Sequence, residues 1–131
     1  MKRVMFVCRK NSCRSQMAEG FAKELGQDKI TVKSSGLEAS EVNPGAIVVM
    51  SEIGIDINKQ TSDALSDFQP EDFDVVISLC GCGVNLPKNW LTTEVFQDWE
   101  LEDPAGKDLG IFRKVRDEIK QKVSQLISSL D

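Results

Sequence analysis

Val4-Met5-Phe6-Val7 runs into Cys8-Arg9-Lys10-Asn11-Ser12-Cys13-Arg14-Ser15, and that stretch runs into Met17-Ala18-Glu19-Gly20-Phe21-Ala22-Lys23-Glu24-Leu25. The first run is apolar and short, as in a buried strand. The last repeats apolar residues at Met17, Phe21 and Leu25, with Ala18 and Ala22 beside them, as in a helix packed on one face. Strand, tight loop, helix is the arrangement of an anion cradle. Loop N–H groups converge on one point, and the helix N-terminus adds roughly half a positive charge. The cradle opens with Cys8 and closes with Arg14. A cysteine at its base is expected to react as the thiolate. An arginine offers a planar fork that grips two oxygens of a tetrahedral anion. These residues predict a thiolate nucleophile aimed at a bound oxyanion.

Outward from this stretch the chain alternates strands and helices. Lys2 to Val7 is the first strand, and Gly26 is the expected stop of the first helix. Ile30 to Ser35 is the second strand, ended by Gly36. Asn43-Pro44 reads as an N-cap followed by proline at the first helical position, with Gly54 closing that helix. Its many apolar residues, among them Val48 and Ile53, predict that it is well covered. Ser62 is the expected cap of a brief helix through Phe68. Asp74 to Leu79 and Glu94 to Trp99 are the third and fourth strands. The final segment puts Phe112, Val115, Ile119, Val123, Leu126, Ile127 and Leu130 on one helical face. The alternation predicts an α/β fold of three layers, a four-stranded parallel sheet with helices on both faces. One domain over residues 1–131 is expected.

In such sheets ligands sit outside the carboxyl ends of the strands. Cys8, the Cys80-Gly81-Cys82-Gly83 loop and Asp103 all follow strands at that edge. If the first and third strands are neighbours, their ends lie ~5 Å apart. A loop movement could then bring two sulfurs together.

Composition narrows the functional classes. The chain of 131 residues has no histidine, no tyrosine and a formal net charge of −5. That balance argues against nucleic acid as a partner. Arg9, Lys10 and Arg14 then supply the local positive potential that an anion needs. Met1-Lys2-Arg3 resembles the start of a signal peptide, but the apolar run ends too soon for one. No segment approaches membrane-spanning length, so a cytoplasmic protein is expected. Four cysteines without an export signal do not suggest a disulfide framework. Their spacings, without histidine, do not suggest zinc. Reactive or redox thiols are left, beside inert buried ones.

Residue by residue, Cys8 is expected to be the nucleophile. Arg9, Lys10, Asn11, Ser12, Cys13, Arg14 and Ser15 form the substrate-binding loop, with Asn11 in the left-handed conformation that curls it. Ser15 either donates to the thiolate or caps the helix. Cys13 is read as an inert thiol, with a redox role as the alternative. Asp103-Pro104 is a turn former. The site also needs a proton donor for a leaving oxygen, and a carboxyl protonated through burial and a bound anion would serve. Cys80 and Cys82 at the same edge suggest redox work.

Cys8 through Ser15, with Asp103-Pro104, resembles the low-molecular-weight protein tyrosine phosphatases. The match is closer to their relatives, the small arsenate reductases of the thioredoxin-coupled type. It is carried by Asn11 to Gly20, Glu52 to Ile57, Glu102 to Lys107 and Phe112 to Ile119, and spans nearly the whole chain. This resemblance implies reduction of arsenate to arsenite. Cys8 would attack arsenic, Arg14 would hold it and Asp103 would protonate the departing hydroxide. Cys80 would then attack the Cys8 sulfur, and Cys82 would draw the disulfide onto the mobile loop. It also implies a possible monovalent-cation site at Asn11, Glu19, Ser34 and Asp63. No other metal and no tightly bound cofactor are expected, and a monomer is expected.

Three departures from the family pattern carry consequences. Lys10 stands where the loop usually has glycine. Only Gly81 separates Cys80 from Cys82, so their disulfide would close a small, strained and easily reduced ring. That favours glutathione with glutaredoxin as the reductant, with thioredoxin as the other option. Ala105-Gly106 replaces the aromatic pair that follows Asp-Pro in the phosphatases, which favours a small inorganic anion. The alternatives are a low-molecular-weight phosphotyrosine or aryl phosphatase, and a non-catalytic oxyanion or thiol sensor. A proton donor at Asp103 argues against the sensor.

Overall fold

Four apolar runs become four parallel strands, in the spatial order β2-β1-β3-β4. The computed structural model describes residues 2–79 and 86–130. Its strands are β1 (Lys2–Cys8), β2 (Ile30–Gly36), β3 (Val75–Ser78) and β4 (Val95–Asp98). The helices are α1 (Arg14–Gly26), α2 (Pro44–Ser51), the one-turn α3 (Lys88–Leu91) and α4 (Leu109–Ser129). Short 3-10 turns occupy Leu65–Asp67 and Pro70–Asp72. The expected three-layer α/β sheet is therefore the architecture observed.

The central strand explains the layering. Val4, Met5, Phe6 and Val7 are all fully buried, as a continuous apolar run between two covered faces should be. Alternation sends Val4 and Phe6 to one side, where they pack with Met17, Phe21, Met50, Phe112, Val115 and Ile119 from α1, α2 and α4. Met5 and Val7 go to the other side, against Leu65, Val76, Leu86 and Trp90. Each such side chain contributes about 1.5–3 kcal/mol by leaving water, which fixes the register of β1. Val7 lies opposite Ser35 of β2 and Ser78 of β3, so Cys8 emerges beside both neighbouring strand ends. The first and third strands are neighbours, which is the condition for their ends to meet.

Several local expectations change. Leu25 is exposed, because the buried length of α1 ends at Ala22 and its next turn faces solvent, although Gly26 returns to the interior. α2 is covered on one side only: Ala46, Val49 and Met50 are buried while Val48 and Ile53 are exposed. Asn43 caps it as expected, its Oδ1 accepting from the Gly45 N–H at 2.8 Å. Gly20 lets α1 pack closely on Met50 of α2 and on the segment that follows it. A Cβ there would lie 2.8 Å from Ile57 Cγ2. No helix begins at Ser62. Ala64 instead bridges to Gly36, and a 3-10 turn follows at Leu65. The Ser62 hydroxyl is spent elsewhere. Among the described residues, no helix is long and apolar enough to cross a membrane.

Candidate active site

The loop between β1 and α1 is built by turning its carbonyls outward. The Cys8 carbonyl accepts from the Leu37 N–H at 3.1 Å, and that of Arg9 from the Glu38 N–H at 3.1 Å. The Lys10 carbonyl accepts from the hydroxyls of Ser40 and Ser62, at 3.1 and 3.2 Å. Gln16 Nε2 donates to the Asn11 carbonyl at 3.0 Å. The Ser12 and Cys13 carbonyls accept from the N–H groups of Asn43 and Met17, each at 3.0 Å. In a trans peptide the next residue's N–H points opposite to the carbonyl, and no peptide here is cis. The N–H groups of residues 9 to 14 therefore face the centre of the loop. Asn11 makes the curl with φ 52°, as the sequence predicts. Gly36 permits the backbone approach, since a Cβ there would stand 2.6 Å from Asn11 N and 2.7 Å from Lys10 C.

Cys8 sits at the base of this ring, 3% exposed. Its Sγ lies 3.0 Å from Ser15 Oγ. Asn11 Nδ2 donates to Ser15 Oγ at 2.8 Å and to Ser34 Oγ at 3.0 Å. With one lone pair of Ser15 Oγ occupied by Asn11, the Ser15 hydroxyl and the Cys8 sulfur share a hydrogen bond in which either can donate. α1 begins at Arg14 with no side-chain cap, so of the two roles read for Ser15 the structure shows the contact to sulfur.

Arg14 is almost fully buried. Its Nη1 donates to the Leu101 carbonyl at 2.9 Å and to the Leu79 carbonyl at 3.4 Å. Its Nη2 lies 3.7 Å from Asp103 Oδ2. Its Nε is buried with no hydrogen-bond partner among the described residues. A buried cationic donor held in place but unsatisfied is the mark of a site that waits for an anion. Cys8, Arg9, Lys10, Ser12, Cys13, Arg14, Asp103 and Ala105 together line one cleft of about 130 Å³.

Two expectations need adjustment here. Asp103 reaches the cleft, but its side chain is 57% exposed, so the burial expected to hold its proton is absent. Its Oδ1 accepts from the Ala105 N–H at 3.0 Å, so it forms the Asp-Pro turn and faces Arg14 at once. Cys13 is buried, and burial pushes its thiol up to about 11. Cys80 and Cys82 lie outside the described residues.

Beneath the loop, Ser34 Oγ donates to Glu19 Oε1, and Lys23 Nζ pairs with Glu19 Oε2. Asn11 Oδ1 accepts from the Asp63 N–H at 2.8 Å, while the Asp63 carboxylate accepts from Thr61 Oγ1 at 2.9 Å. Asn11, Glu19 and Ser34 are thus brought together, and Asp63 joins them through its backbone. The Lys23 ammonium already supplies positive charge to Glu19. The oxygens expected to ligate a monovalent cation each accept from a protein donor in this arrangement.

The sequence reading missed the outer supports: Ser40, Ser62, Gln16 and Gln60. Gln60 Nε2 donates to Gln16 Oε1 at 2.8 Å, orienting the amide that holds the Asn11 carbonyl. A fully buried glutamine directly after Arg14-Ser15 is unusual enough to signal such a role. Ser40 and Ser62 carry no comparable signal.

The chain matches the family described as low molecular weight phosphotyrosine protein phosphatase over residues 3–131. It is 62% identical over 130 residues to a glutaredoxin arsenate reductase of Synechocystis sp., covering 99% of both chains. It is 48% identical over 127 residues to arsenate reductase 1 of Staphylococcus epidermidis, covering 93% of this chain and 92% of that one. A solved structure described as an arsenate reductase in the phosphate binding state superposes with a TM-score of 0.95 at 61% identity, covering 100% of each chain. With the fold, the Cys8-to-Arg14 cradle and these likenesses together, the chain belongs to the low molecular weight phosphotyrosine protein phosphatase family, within its arsenate-reductase-like branch.

Proposed function

We propose that this protein is an arsenate reductase, a cysteine-relay oxidoreductase acting on a bound tetrahedral oxyanion. The observation that carries the reading is the buried Arg14 Nε, without a hydrogen-bond partner among the described residues, on a side chain that lines one cleft with Cys8. Likeness to a glutaredoxin arsenate reductase supports the choice of arsenate.

Arsenate docks with its oxygens on the loop N–H groups and Arg14. Positive charge on Arg9 and Lys10 at the mouth draws it into a chain of net charge −5. The Cys8 thiolate attacks arsenic, an S–As bond forms, and Asp103 delivers a proton so that one oxygen departs as water. The Cys80 thiolate then attacks the Cys8 sulfur. The S–As electron pair stays on arsenic, which leaves as arsenite, and a Cys8–Cys80 disulfide remains. Cys82 attacks Cys80 in turn, freeing Cys8 and placing the disulfide between Cys80 and Cys82. An external dithiol or glutathione with glutaredoxin reduces it, with thioredoxin as the other candidate. No bound cofactor enters the cycle.

The second reading, an aryl phosphatase, draws on the same cradle, which suits phosphate as well as arsenate. Ala105 is on the cleft wall and no aromatic residue lines the cleft among the described residues, which favours the small anion. The protein acts as a cytoplasmic monomer in this account and takes no nucleic acid partner.

The test is arsenate turnover with glutathione plus glutaredoxin, or with thioredoxin, on wild type and on Cys8→Ser, Cys80→Ser and Cys82→Ser. All three substitutions are expected to abolish turnover, with glutaredoxin the better reductant. Full turnover by Cys80→Ser would overturn the relay.

A further inference from the structure

The six loop carbonyls are not held alike. Those of Cys8, Arg9, Ser12 and Cys13 accept from backbone N–H groups, and that of Asn11 accepts from the buried Gln16 amide. Among the described residues, the Lys10 carbonyl is held by two side-chain hydroxyls, Ser40 Oγ and Ser62 Oγ. This is also the peptide that precedes the left-handed residue Asn11. A peptide at such a turn can flip at modest cost, exchanging the directions of its carbonyl and N–H. A flip here would withdraw the Asn11 N–H from the anion and aim the Lys10 carbonyl oxygen at it.

We propose that Ser62, with Ser40, is the positioning pair that locks the Lys10–Asn11 peptide with its N–H toward the oxyanion. Ser62 is central because its hydroxyl does two things. It donates to the Lys10 carbonyl and accepts from the Ser40 N–H at 2.9 Å, so it ties the 37–43 segment to the 60–63 segment across the loop. Its neighbour Asp63 holds the Asn11 side chain through the backbone, and Thr61 accepts from Gln16 through its carbonyl at 3.0 Å. Gly36 closes the remaining side of the same peptide. Neither serine touches the anion. Both act through the direction of one N–H.

The inference rests on the oxyanion reading of the loop, and the experiment separates the two. Inorganic phosphate is titrated calorimetrically into the reduced full chain, for wild type, Ser62→Ala, Ser40→Ala, the double alanine variant and Ser62→Thr, well below each melting temperature. Phosphate affinity is expected to fall about two- to tenfold for each hydrogen bond lost. Ser62→Thr, which keeps the hydroxyl, is expected to recover most of it. In turnover, KM for arsenate should rise more than kcat falls. Wild-type affinity in the double variant, with only a lower melting temperature, would overturn the positioning role alone. A wild-type chain that binds no phosphate would overturn the oxyanion reading, and the positioning role with it.

Discussion

Ser15 Oγ and Cys8 Sγ stand 3.0 Å apart, both buried, and Asn11 Nδ2 holds the serine oxygen in place. A hydrogen bond to a charged acceptor contributes about 1.5–3 kcal/mol, so Ser15→Ala should cost roughly ten- to a hundredfold in reactivity near neutral pH. The rate of Cys8 alkylation by iodoacetamide across pH measures this directly. A variant as reactive as wild type at pH 6 would remove Ser15 from the account.

Asp103 lies 3.7 Å from Arg14 at the open side of the cleft. Its carboxyl is proposed to protonate the leaving oxygen, work that general acids typically support by about 10²–10⁴-fold. Asp103→Asn should lower kcat by that order while leaving phosphate affinity about unchanged, since the amide keeps the shape and loses only the transferable proton. Unchanged kcat in the asparagine variant would show that the acid comes from elsewhere.

Cys13 lines the same cleft as Cys8, yet burial pushes its thiol up to about 11. Mass-resolved alkylation of the folded chain at pH 8 should label Cys8 and leave Cys13 unmodified, and Cys13→Ser should be mild in turnover. Prompt labelling of Cys13 would contradict its assignment as an inert thiol.

Arg3 and Asp74 pin the start of β1 to the residue before β3. The Arg3 N–H and guanidinium donate to the Asp74 carboxylate, and the Asp74 N–H donates to the Arg3 carbonyl. The Arg3 side-chain hydrogen bond, with the Arg3 backbone N–H, holds the Asp74 carboxyl below the ordinary aspartate value. The stabilisation is therefore fully present above the unfolded value and is lost as pH falls through the depressed folded value. Urea unfolding of Asp74→Asn should show a shallower loss of stability than wild type as pH is lowered below about 4. Parallel curves would mean that the pair contributes nothing.

How much of this was legible in the residues depends on what kind of force positions them. The sheet, the edge that carries Cys8 and the curl at Asn11 follow from apolar periodicity and from one residue that tolerates positive φ. Those are local signals. The one-sided exposure of α2 was not legible, because Val48 and Ile53 are as apolar as the residues that α4 covers. Ser62 was read as a helix cap, since a serine before an apolar segment looks the same whether its hydroxyl serves a helix or a distant carbonyl. The burial expected for Asp103 failed for a related reason: the Asp-Pro turn that places it also lifts it to the surface. The exact relation of Cys8, Arg14 and Asp103 required three strand ends to meet, which no single stretch encodes.

The most direct test of the central claim is a single turnover of the fully reduced chain with excess arsenate and no external reductant, counting arsenite released and free thiols lost. A Cys8–Cys80–Cys82 relay predicts about one arsenite per chain with the loss of about two thiols, and neither in Cys8→Ser. A wild-type chain that releases no arsenite, while hydrolysing a small aryl phosphate equally well with and without Cys80, would contradict the relay and leave a phosphatase in its place.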